Sequence, residues 1–173
     1  KPEYFPIPFS IYASDIDFEI LENKTERKIG DLTVTWKSMC HPGQCYAYRV
    51  DCGGKSVVYA TDAEYKKLGS GDLKPVVDFF KDADLLIFDS MHTFSEGLEK
   101  EDWGHSSTFI GVDLAVEANV KQIAFFHHEP TYSDFKLADI FKQTEKYLKL
   151  VAPKQDLKML LSYEGLTIDL LQE

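Results

Sequence analysis

Three short apolar runs set the pattern of this chain. Ser56-Val57-Val58-Tyr59-Ala60-Thr61-Asp62, Asp84-Leu85-Leu86-Ile87-Phe88-Asp89 and Ile123-Ala124-Phe125-Phe126-His127-His128 are rich in β-branched and aromatic residues, which predicts buried strands. Cys45-Tyr46-Ala47-Tyr48-Arg49-Val50 alternates at period two and meets Ser56–Ala60 across Asp51-Cys52-Gly53-Gly54, a hairpin signal. Two further strands are predicted at Asp17–Leu21 and Leu32–Trp36, with Lys28-Ile29-Gly30-Asp31 turning between them. Helical spacing marks Pro75–Lys81, Ser107–Asn119 with Ser106 or Ser107 as N-cap, and Ser133–Leu150. Met159–Ser162 and Leu166–Leu170 are expected to close the chain as a hairpin around Glu164-Gly165. No repeat or linker interrupts this order. Residues 1–173 read as one α/β unit, β-rich first and αβ-alternating later.

Each of the three runs ends on residues that an apolar interior rejects: Asp62, Asp89, and the pair His127 and His128. In sheets packed with helices, ligands and metals gather beyond the carboxyl ends of strands. Two carboxylates and a histidine delivered there suit zinc, manganese or iron. The plainer alternative is that strands end in polar residues where loops begin. Neighbouring residues on an extended chain face opposite ways, so one of His127 and His128 at most is a ligand. His41 follows a strand in a Pro-Gly loop, where ligands also sit. His105 stands at the entrance to a helix, whose free N–H groups favour anions. His92, in a segment read as irregular, is the weakest candidate.

Composition narrows the function classes. With 173 residues, 44% of them hydrophobic, the chain can bury a core, and no apolar stretch reaches the roughly 18 residues of a membrane span. A net charge of −10, with Lys and Arg scattered among acids, argues against a broad nucleic-acid surface. A small anionic substrate held through metal ions stays compatible. Cys40, Cys45 and Cys52 form an odd set without CxxC spacing. A reducing cytoplasm is therefore the expected compartment, and neither a disulfide framework nor a zinc knuckle is expected.

The order of these elements resembles the metallo-β-lactamase superfamily, in its ribonuclease Z-like and phosphodiesterase-type branch. A histidine (His41) precedes a glycine-containing hairpin, and a strand ends in Tyr-Ala-Thr-Asp at Asp62. Gly104-His105-Ser106 leads into a helix, and a later strand ends at His127. Trp103-Gly104-His105-Ser106-Ser107 and Phe125-Phe126-His127-His128-Glu129-Pro130, with Ser133-Asp134 beyond, are the more specific matches.

The resemblance implies a divalent-metal hydrolase, with two zinc or manganese ions in the complete enzyme. His41 would bind one ion, Asp62 would bridge two, and His127 would bind the other. His105 would stand beside the scissile bond, stabilising charge or protonating the leaving group. Asp89 and His128 would support these groups from behind. The implied substrate is a small anionic or phosphodiester compound.

One departure is large. The family's H-x-H-x-D-H motif is absent. The chain is therefore expected to correspond to the C-terminal half of an αββα sandwich, a mixed β-sheet flanked by helices. Alone it should bind metal weakly, lack turnover, and self-associate to hide the face that the other half would cover. Two other function classes are weighed against this one: a non-catalytic binding or regulatory module that kept the fold, and thiol chemistry by Cys40. The second has no third group to orient the Cys40–His41 pair.

Overall fold

The computed structural model describes residues 11–16, 20, 26–66 and 72–171. The strand expected at Asp17–Leu21 lies outside the described residues, Ile20 apart. Seven strands form one mixed sheet in chain order. β1 (Glu26–Ile29), β2 (Leu32–Met39), β3 (Cys45–Cys52) and β4 (Lys55–Ala60) pair antiparallel, then β5 (Leu85–Asp89), β6 (Gln122–Phe126) and β7 (Lys158–Leu161) continue in parallel from β4. Parallel neighbours need crossover connections. These carry α1 (Lys74–Phe80) before β5, α2 (Phe94–Glu99) and α3 (Thr108–Glu117) before β6, and α4 (Asp134–Val151) before β7.

Strand alternation divides the sheet into two unequal faces. Val58, Ala60, Leu86, Phe88, Ile123 and Phe125 point to one side and join Val77, Phe80, Val112, Ala115 and Leu148 of the helices in a single buried core. Burying one such large side chain contributes about 1.5–3 kcal/mol. The opposite face carries Tyr46, Tyr48, Tyr59 and Phe126, which remain 43%, 38%, 43% and 40% exposed. Tyr59 and Phe126 touch there across the sheet, ring centroids 6.3 Å apart. Among the described residues, helices cover one side only.

Three sequence expectations need correction. The closing hairpin does not form: β7 pairs in parallel with β6 instead. Lys158 N bonds to Lys121 O and Ser162 N to Phe125 O, so the ladder of β7 is committed to β6. The turn at Glu164-Gly165 does close, with Leu166 N on Tyr163 O. Its return segment, however, alternates in burial without joining a strand. Second, a helix that the sequence reading does not assign begins just beyond the irregular segment of His92. Thr93 and Glu96 form a reciprocal capping box that starts α2, and the Thr-x-x-Glu spacing is its sequence signature. Third, β1 occupies Glu26–Ile29, where polar residues on an exposed edge strand leave no apolar alternation to read.

Among the described residues, the other expected helices and strands fit closely. Ser107 caps α3 by position, without a side-chain bond, and Ser133 caps α4 by accepting from Lys136 N. Among the described residues no helix is long and apolar enough to cross a membrane.

Candidate metal centre

Parallel pairing brings the polar strand ends together. Ala60 lies beside Phe88 and Asp89 beside Phe126, so Asp62, Asp89 and His127 emerge at one edge of the sheet. Asp62 has φ +54° and His127 φ +57°. This left-handed region costs a non-glycine residue about 1 kcal/mol or more, and it persists only where the surroundings over-determine it.

Asp89 does much of that determining. It is 0% exposed. Its Oδ1 accepts the amides of Met91 at 3.2 Å and Ser106 at 3.0 Å. Its Oδ2 accepts the Asp62 amide at 2.9 Å and Nδ1 of His105 at 3.0 Å. Nδ1 of His127 lies 3.2 Å from the same oxygen, an ion-pair approach out of line for a hydrogen bond. A carboxylate has about four lone-pair sites, so this one is filled. What Asp89 can do is orient its neighbours.

Because each Nδ1 is turned to Asp89, each ring presents Nε2 on its far side. Nε2 of His127 stands 3.4 Å from Asp62 Oδ1. The rings of His105 and His127 stack, centroids 5.0 Å apart at 29°. One oxygen or nitrogen from each of Asp62, Asp89, His105 and His127 lies within 4.8 Å of the others. Histidines held by a carboxylate at one nitrogen and free at the other suit a metal site, since the partner fixes tautomer and ring direction.

The charges follow from this packing. Burial alone would raise the Asp89 carboxyl, but the hydrogen bond from His105, the close imidazole of His127 and the amides of Ser106 and Met91 hold it down to about 2. Asp89 in turn raises the His127 imidazole against the opposing effect of burial. Burial lowers His128, whose Nε2 donates to Ser162 O at 3.2 Å while Nδ1 faces Ser90 Oγ at 3.4 Å. That residue ties the exit of β6 to the exit of β7 and points away from the cluster.

His41 stands next to the cluster, outside the group of four. Its ring is edge-on to His105 at 5.4 Å, and its Nδ1 lies 2.6 Å from Pro42 O. Gly104, at φ +89°, permits this approach, because a Cβ there would collide with the His41 ring and with Pro42. His92, the weakest sequence candidate, is 2% exposed and lies 5.8 Å from His105. Neither of its ring nitrogens has a partner among the described residues. Nothing in its sequence setting signals that burial.

No protein-family model matches the chain. Curated relatives do. Ribonuclease Z of Sulfurisphaera tokodaii is 38% identical over 109 residues, 56% of this chain and 36% of that protein. The probable metallo-hydrolase YhfI of Bacillus subtilis is 30% identical over 131 residues, 68% of this chain and 50% of that protein. The chain thus spans about a quarter to a half of the length of the curated relatives it matches. Among solved structures, the metallo-β-lactamase-fold protein YhfI superimposes with TM-score 0.64 at 23% identity, over 87% of this chain and 54% of that one. The short form of human tRNase Z gives TM-score 0.59 at 14% identity, over 84% and 46%. Strand order, clustered ligand-type residues and sequence relatives agree: the chain has the metallo-β-lactamase fold and resembles that superfamily's ribonuclease Z-like members.

Proposed function

We propose that this chain supplies one side of the active centre of a metal-dependent hydrolase acting on phosphodiester bonds. The observation that carries this reading is the convergence of Asp62, Asp89, His105 and His127 within 4.8 Å. The oxygen and nitrogen donors suit zinc or manganese. Asp62 and His127 would hold the ions, and His41 would add a ligand from its loop. A bound divalent cation supplies charge stabilisation at the scissile group and an activated water.

The chain's own residues then have separable tasks. Asp89 fixes the tautomers of His105 and His127 and leaves both Nε2 atoms facing the site. His105, with Asp89 behind Nδ1, would donate a proton from Nε2 to a leaving oxygen. The substrate is a small anionic phosphodiester, and the working compartment is the cytoplasm.

The test is metal stoichiometry after equilibration with zinc and with manganese. A catalytic zinc usually takes three protein ligands, and each ion here would have fewer. The expected result is one loosely held ion per chain at metal excess, no turnover, and loss of that ion in His127→Ala. Two tightly held ions would overturn the reading that this chain is an incomplete centre. No uptake by the wild-type chain under any metal excess would overturn the assignment of Asp62 and His127 as ligands.

The uncovered sheet face bears on the same proposal. Tyr46, Tyr48, Tyr59 and Phe126 form an apolar surface on the side without helices, and such patches favour association. By itself the chain is expected to sediment as a dimer or larger species, shifting towards monomer when Tyr59 is replaced by Lys. A monomer at high concentration would refute this.

A further inference from the structure

His41, Asp62 and His105 come from three separate segments, and one residue outside the cluster joins all three: Glu64. The segment beyond β4 that carries it is anchored in the core. Ala63 and Tyr65 are buried, and the Tyr65 ring stacks on Phe88 at 5.1 Å and 18°, immediately before Asp89. Neighbouring side chains on an extended segment point opposite ways, which leaves Glu64 and Lys66 half-buried at the surface.

Glu64 reaches the other two segments with different groups. Its amide donates to the carbonyl of Cys40, the residue before His41, at 2.9 Å. Its carboxylate accepts the amide of Asp102, three residues before His105, with Oε1 at 3.2 Å and Oε2 at 3.1 Å. Lys66 pairs with both the Glu64 and the Asp102 carboxylates. Surface ion pairs contribute little, whereas a hydrogen bond to a charged acceptor is among the stronger ones. The amide–carboxylate bond therefore carries the attachment. The Glu64 side chain is 12% exposed and that of Asp102 83%, so Glu64 is the fixed partner.

The 100–104 loop needs such a tether. Asp102 has φ +71°, a left-handed conformation that persists only where the surroundings impose it. A turn with Trp103 N on Lys100 O at 3.2 Å shapes the loop, and Glu64 fixes its place relative to Asp62. Gly104 then lies against His41 and Pro42, and the His41 and His105 rings meet edge-on at 5.4 Å. The missing Cβ of Gly104 permits that contact but does not hold it.

We propose that Glu64 is a positioning residue of the metal centre: by accepting the Asp102 amide, it sets His105 against His41 beside Asp62. Its carboxylate is turned to the loop and takes no part in the group of four, so it acts through the other residues. This deepens the hydrolase reading and rests on it only for the use to which the geometry is put.

The test uses the full chain without metal, so that it stands apart from metal uptake. Nuclear Overhauser cross-peaks between the His41 and His105 ring protons are followed together with hydrogen exchange of the Asp102 amide. In the wild-type chain that amide should exchange more slowly than in an unfolded chain. Glu64→Ala should lose the cross-peaks and speed Asp102 exchange about tenfold or more, while the amides of β5 and β6 stay as protected as in wild type. Glu64→Gln keeps an oxygen acceptor for the Asp102 amide and should retain both signals. The inference is overturned if the cross-peaks persist in Glu64→Ala, or disappear there only where β5 and β6 lose protection too. It is equally overturned if Glu64→Gln behaves like Glu64→Ala, or if Asp102 exchanges at the unfolded rate in the wild-type chain. Any of these, alongside metal uptake sensitive to His127→Ala, would remove the tether and leave the hydrolase reading intact. The expected cross-peaks beside metal uptake insensitive to His127→Ala would do the reverse.

Discussion

Replacing Asp89 with alanine is expected to destabilise the fold by about 3–5 kcal/mol, the range for breaking a buried charge network. That is a large share of the roughly 5–15 kcal/mol available to a domain. The amides of Asp62, Met91 and Ser106 would lose their acceptor at once, together with His105 Nδ1. The site would suffer with the fold. Without that acceptor nothing compensates the left-handed backbone at Asp62, and the ring of His105 can rotate. Asp89→Asn should recover part of the packing but little of the stability, because its amide nitrogen would face N–H donors. Urea denaturation would read the loss, and a midpoint for Asp89→Ala within about 1 kcal/mol of wild type would refute this account.

The pH dependence carries the same signature with a definite sign. The Asp89 carboxyl is held down to about 2 from an ordinary 3.8, so the unfolded chain binds its proton first as pH falls. Its contribution, roughly 2 kcal/mol, is present above 3.8 and is lost as pH drops through about 2. His127 has the opposite sense. Its imidazole is raised from 6.5 by Asp89, so that pairing is fully present below 6.5 and fades as pH rises through the raised value. The wild-type chain should lose stability below pH 4, and Asp89→Ala should lose distinctly less over that interval. Equal acid sensitivity in the two proteins would remove Asp89 from the explanation.

Why the sheet and the site were unequally readable follows from where their information lies. β4, β5 and β6 are continuous apolar runs, and only buried strands tolerate those. Their polar ends single out Asp62, Asp89 and His127, and the parallel register of the strands brings the three to one edge. What the sequence could not convey is the hub geometry: five groups reach the Asp89 carboxylate from four separate segments. The burial of His92 is of the same type, since it depends on the 104–107 loop crossing over it, with His92 N on Ser106 O at 3.0 Å. The closing hairpin failed for a different reason. Alternation at Leu166–Leu170 is present in burial, but alternation specifies a face and not a partner strand. α2 was legible in principle, because Thr93-Phe94-Ser95-Glu96 is a capping box written in the sequence.

Gly111→Val is expected to cost about 2–3 kcal/mol, and the reasons show how tightly the site is tied to the core. A Cβ at this position of α3 would lie 2.8 Å from Phe88 Cδ1 and 2.9 Å from Phe125 Cε1. Both rings are 0% exposed, so neither has room to withdraw. The helix-propensity gain on leaving glycine offsets only about 0.5 kcal/mol for valine. Overpacking therefore wins. Gly97 of α2 provides the opposing case: nothing lies within 4 Å of its added Cβ, so Gly97→Ala should stabilise by about 0.5–1 kcal/mol. Paired urea titrations would check both signs, and a Gly111→Val protein as stable as wild type would refute the packing argument. The consequence reaches the metal centre, because Phe88 immediately precedes Asp89 and Phe125 lies two residues before His127. A helix pushed off β5 and β6 displaces the strand ends that carry the site. Gly111→Val should therefore weaken metal uptake even at temperatures where the chain remains folded, and Gly97→Ala should not.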